Sequence, residues 1–183
     1  MLAIVQKDWG NLTVDRQIHM LKKLKPDMLC SFVRKLDAED TDAAVLRWIA
    51  ARQELDLGTA LTLFFAFDPR RWNLLPRAAF PADKRDQFAV LDALCQRINC
   101  GFYLPIASRR MDDREEVAKW LERQKLDAEA GRRGRWVFDR NIIAPLVTDI
   151  RLNVPARRKA FGPRSGMVQG IFTPLFVPAR HRA

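Results

Sequence analysis

The chemistry available to this sequence is concentrated in arginine. From residue 131 onward Arg132, Arg133, Arg135, Arg140, Arg151, Arg157, Arg158, Lys159, Arg164, Arg180 and Arg182 follow one another, interleaved with Trp136, Phe138 and Phe161. A guanidinium forms paired hydrogen bonds to phosphate or carboxylate and stacks on aromatic rings, so such a segment suits an anionic polymer or an acidic protein surface. The plainer alternative is a solvated surface, with some of the arginines pairing back onto acids of the same chain. Arg132, Arg133, Arg135, Arg140, Arg157, Arg158, Lys159 and Arg164 are the candidate partner-binding residues.

Other reactive types are scarce. Nucleophilic catalysis needs a Ser or Cys beside a His and an orienting acid, and the histidines are only His19 and His181. Asp15 and His19 are four residues apart and share a helix face, where a surface ion pair is the expected outcome. Cys30, Cys95 and Cys100 are odd in number and contain no CxxC pair, which supports neither a disulfide framework nor a zinc site. Asp112-Asp113 and Glu115-Glu116 point different ways around a helix and suit its positive end better than they suit a metal. Gly162-Pro-Arg-Ser-Gly166 lacks the spacing of a phosphate loop. No GxSxG, HExxH, GxGxxG or EF-hand pattern occurs, so neither an enzyme nor a cofactor is expected.

The elements that must carry these residues are mainly helical. The chain has 183 residues, 48% of them hydrophobic and 30% charged, enough for one domain with a core plus an appendage. Its net charge of +10 is unevenly spread: residues 1–40, 41–104, 105–130 and 131–183 carry +1, +1, −1 and +9. Apolar spacing predicts helices over Val14–Lys25, around Leu29–Leu36, from Thr41-Asp42 to Gln53, from Asp56 to Phe67, from Pro81 to Gly101, and from Asp112 to Ala130. The helix after Asp56 is apolar over much of its circumference and should be central. Arg70–Pro81 reads as an irregular connection. After Gly131, Arg135–Asp139, Ile142-Ile143 and Asp149–Val154 read as short extended or β segments, and residues beyond Pro155 as a basic, proline-containing tail. The expected architecture is a compact helical bundle, or α-solenoid-like helix pairs, of about six helices. Residues 1–130 would form the helical domain and residues 131–183 a basic extension partly docked on it.

Val45-Leu-Arg-Trp-Ile49, Leu55-Asp-Leu-Gly-Thr-Ala-Leu61 with Phe64, and Arg97-Ile-Asn-Cys-Gly-Phe-Tyr103 together resemble the small bacterial family catalogued as domain of unknown function 4274. The resemblance spans residues 41–104. The Asn-Trp-Asp pattern associated with that family further upstream is absent from residues 1–40. The resemblance implies a helical bacterial module with no established activity. Within the motif Asp56 and Thr59 can satisfy free N–H groups at a helix start while Gly58 permits close approach; alternatively Asp56 and Thr59 line a ligand site at that helix N-terminus.

The functional expectation is a non-catalytic bacterial interaction module, an immunity or accessory protein binding an acidic protein partner. The alternative is nucleic-acid binding through the arginine-rich segment, although no recognised DNA- or RNA-binding signature is present. The start MLAIVQKDWG lacks the n- and h-regions of a secretory signal, and the longest apolar stretch is too short to span a bilayer, which makes a cytoplasmic location the expectation.

Overall fold

Pro26 and Asp42 begin two of the helices for opposite reasons. Proline has no N–H to lose in the first turn, while the Asp42 carboxylate accepts from the Ala44 amide at 2.7 Å. A computed structural model of the protein describes residues 9–106 and 113–147. After a 3-10 turn at Trp9–Asn11 come α1 (Val14–Leu21), α2 (Pro26–Val33), α3 (Ala43–Ala50) and α4 (Leu57–Phe65). The chain continues with a single turn, α5 (Pro69–Trp72), then 3-10 turns at Arg77–Ala79 and Ala82–Lys84, and the longer α6 (Arg85–Asn99). α7 (Arg114–Glu129) and α8 (Arg140–Val147) complete the described helices. The chain divides into two units, Met1–Arg151 and Leu152–Ala183, and every described residue lies in the first.

The described unit is a mainly α-helical bundle. α4 sits in the middle, with Leu57, Gly58, Thr59, Ala60, Leu61, Leu63 and Phe64 all buried. α3 and α4 pack on α6, α1 packs on α3, α2 on α4, and α7 on α8. Phe64 is the hub of an aromatic cluster, with ring centroids 5.5 Å from Trp120, 6.2 Å from Trp136 and 4.8 Å from Phe138. Gly101 and Gly131 end α6 and α7 with φ of +70°; the Phe102 amide returns to the Arg97 carbonyl and the Arg132 amide to the Asp127 carbonyl, closing each last turn.

Two stretches depart from the sequence expectation. Arg70–Pro81 contains α5 and a 3-10 turn, with Asp68 in the left-handed region at φ 42° where the chain leaves α4. Ile142-Ile143, expected to be extended, lies inside α8. Asp139 caps that helix, accepting from the Asn141 amide through its side chain (2.8 Å) and from the Ile142 and Ile143 amides through its carbonyl, and Ile143 is fully buried. Burial and a good cap thus outweigh the β preference of two adjacent isoleucines. Asp149–Val154 lies outside the described residues.

Arg135–Asp139 is extended but joins no sheet; the sole β-type pairing among the described residues is an isolated bridge between Asp56 and Leu104. Its backbone is instead bonded by three residues on different elements. The Arg135 and Trp136 amides donate to the main-chain and side-chain oxygens of Asn73 (both 2.8 Å). Asn99 donates to the Val137 carbonyl (2.7 Å) and accepts from the Asp139 amide (2.8 Å). Gln124 both donates to and accepts from Phe138 (2.8 Å each). Trp136 and Phe138, two residues apart and on one side of the extended chain, are both buried in the core.

Candidate functional site

α7 positions the site. Its inner stripe, Val117 and Trp120, is buried, and its C-terminal half leaves two grooves on either side of a shared wall. That wall is the ion pair between Arg132 and the buried Asp127, at 2.7 Å. The first groove, about 550 Å³, runs between α7 and the 131–140 segment and is lined by Lys125, Arg133 and Arg140 together with Leu121 and Val137. The second, about 640 Å³, has Leu74 and Leu126 as its apolar floor, 48% and 53% exposed, and Arg70, Lys119, Glu122 and Arg123 around it.

The charges around these grooves fall into two groups. Arg70 pairs with Glu116, Lys119 with Glu115 at 2.6 Å and Glu116 at 3.6 Å, Lys125 with Glu129 at 3.9 Å, and Arg132 with Asp127. Arg123, Arg133 and Arg140 have no ion-pair partner among the described residues, so their guanidinium groups stay available to an incoming carboxylate. An apolar floor edged by unpaired arginines can hold an amphipathic segment: apolar side chains fill the floor while acids meet the rim.

The other arginines of the run separate clearly. Arg135 turns inward: it grips both oxygens of Asp92, lies 4.9 Å over the Phe80 ring and 5.6 Å from the centre of Trp136, and is held charged by the Asp92 carboxylate. It fastens the 131–140 segment to α6. Arg157, Arg158, Lys159 and Arg164 lie outside the described residues.

Asp56 is the N-cap of α4, accepting from the Thr59 amide at 2.8 Å and the Thr59 hydroxyl at 2.9 Å. Arg34 donates to the Thr59 hydroxyl (2.9 Å) and to Asp56 (3.2 Å). Asp56 and Thr59 are 2% and 0% exposed, so this cluster faces protein and not an open site, while Gly58 is buried in the same first turn.

The remaining reactive groups are dispersed. Cys95 is buried, and that burial raises its thiol pKa to about 11, which removes it as a nucleophile at neutral pH. Cys30 is also buried, and the exposed Cys100 donates to the Arg97 carbonyl at 3.3 Å. Asp113 accepts from the Thr62 hydroxyl at 2.5 Å. No group of three or more His, Cys, Asp or Glu among the described residues could hold a metal ion, and none of the described helices is long and apolar enough to cross a membrane. The groove floor was not foreseen from the sequence: Leu74 sits in the stretch expected to be irregular, and Leu126 is a lone leucine outside the α7 stripe. Comparison of the chain with family models, curated proteins and solved structures gives no match in any of the three.

Proposed function

We propose that this protein is a non-catalytic binding module whose partner is an acidic, amphipathic protein segment laid along α7. The observation that carries this reading is the pair of grooves that share the Arg132–Asp127 wall: the exposed Leu74 and Leu126 lie with Arg123 in one, Arg133 and Arg140 line the other, and these three arginines have no ion-pair partner among the described residues. Nucleic-acid interfaces are more polar and more uniformly positive than this surface, which also bears Glu122 and the neutralised pair Arg132–Asp127. An apolar centre with a charged rim is the pattern of a protein interface. The family resemblance of residues 41–104 adds a helical bacterial setting, and an immunity or accessory role would suit it.

The test is titration, at physiological salt, of the full chain with a labelled amphipathic helical peptide bearing leucine on one face and glutamate on the other. Arg133→Glu combined with Arg140→Glu should weaken binding at least ~10-fold, equivalent to about 1.4 kcal/mol, and Leu126→Asp should weaken it comparably. Random-sequence DNA should bind weakly and lose affinity steeply as salt rises. Sub-micromolar DNA binding at physiological salt that is indifferent to Leu126→Asp would transfer the site to nucleic acid.

A further inference from the structure

A helical bundle without a sheet offers an extended segment no strand edge, so the backbone groups of such a segment must find side chains or stay unpaired. Asn73, Asn99 and Gln124 answer the backbone of Arg135–Asp139 from three separate elements, giving six hydrogen bonds between 2.7 and 2.8 Å, five through their side chains and one through the Asn73 main-chain carbonyl. Selectivity comes from the side chains. Asp92 takes the Arg135 guanidinium with both oxygens and accepts from the Trp136 indole at 2.8 Å; Trp136 and Phe138, each 1% exposed, fill adjoining aromatic sockets around Phe64. This division, backbone held by amides and alternate side chains held by pockets, is how extended peptides are recognised in trans.

The tether is bonded to α7, through Arg132 and Asp127. The connection from α7 is Gly131, Arg132, Arg133 and Gly134: the first three are exposed, Gly131 has a positive φ, and Gly134 passes so close to the Asn73 carboxamide that a Cβ would not fit. We infer that Asn73, Asp92, Asn99 and Gln124 form a receptor for an extended Arg-Trp-x-Phe-Asp segment, filled here in cis and able to accept the same segment in trans from a second copy of this chain. The contacts are the same either way, so the local tether decides the occupant by effective concentration alone. This surface adjoins the first groove, whose lining includes Asn73, Gln124 and Val137, but it rests on the inward contacts of Arg135, Trp136 and Phe138 and would stand if the assignment of an acidic partner failed.

The experiment folds the full chain with a specific protease site inserted between Arg132 and Arg133, records its helical circular dichroism, and then cuts it. The probe is a labelled peptide of residues 133–147. Before cutting, the peptide should be excluded roughly 100-fold, the ratio of a tether's effective concentration of about 1 mM to a probe at ~10 µM. After cutting, the fragments should still co-elute, and excess peptide should replace the resident segment, while peptides with Trp136→Ala or Phe138→Ala should not. Separation or unfolding on cutting, or uptake indifferent to those two substitutions, overturns the receptor. The unmodified chain gives an independent measurement. Its Trp136 and Phe138 amides should exchange with deuterium through an opening that leaves the α3, α4 and α6 amides protected; exchange of all of them in one global event also overturns it.

Discussion

Asp56 and Asp42 are both helix caps, yet removing them should have unequal effects. Asp42 is exposed and its carboxylate satisfies the Ala44 amide, so Asp42→Ala should cost about 1 kcal/mol in denaturant unfolding. Asp56 is 2% exposed and its carboxylate also faces the Arg34 guanidinium, so Asp56→Ala leaves a poorly hydrated cation and should cost roughly 3 kcal/mol or more. Equal losses at the two positions would mean that the Arg34 contact adds nothing. Cys95 and Tyr103 give a pH signature at the same scale. Both are neutral when protonated, and burial raises them from 9.0 to about 11 and from 10.0 to about 12; the buried Tyr103 hydroxyl donates to the Ala50 carbonyl. Their contribution is therefore complete below pH 9 and is lost as pH rises towards 11 and 12, by about 3 kcal/mol for each group. Cys95→Ala should flatten the decline between pH 9 and 11 and leave the part that continues to pH 12.

Elements with a strong period were legible in the sequence, and those held by distant partners were not. α4 was readable as the central helix because apolar residues surround it, and Asp42 and Gly101 mark helix ends whose capping chemistry is local. Ile142-Ile143 was misread because the cap at Asp139 and the burial of Ile143 depend on where the preceding strap docks, which local propensity does not encode. Likewise nothing in the neighbourhood of Asn73, Asn99 or Gln124 announces that they converge on one five-residue segment. At the site, the arginine run was visible, but the inward turn of Arg135 was not, because its acid lies on α6. Gly131 ends α7 in a left-handed conformation, so Gly131→Ala should cost about 1–2 kcal/mol by thermal or denaturant unfolding. A neutral result would mean that the turn relaxes without it.

For the whole molecule, the charge asymmetry and the helical bundle are two separate properties. Residues 131–183 carry +9, yet in the described part Arg132 and Arg135 are neutralised by Asp127 and Asp92, leaving Arg133 and Arg140 to face the first groove. All described helices precede Leu152, so a chain ending at Arg151 should keep its helical circular dichroism and a single cooperative transition. Loss of that transition would make Leu152–Ala183 part of the fold. Fixing a backbone with carboxamides also gives the molecule a shelf life. Side-chain amides hydrolyse slowly with heat and age, and each of Asn99 and Gln124 uses its nitrogen as a donor to a carbonyl of the strap. Hydrolysis at either residue would exchange that donor for an anionic oxygen facing the same carbonyl. Aged protein should therefore shed the strap while its helices still look intact, a chemical clock that reads out one short segment first.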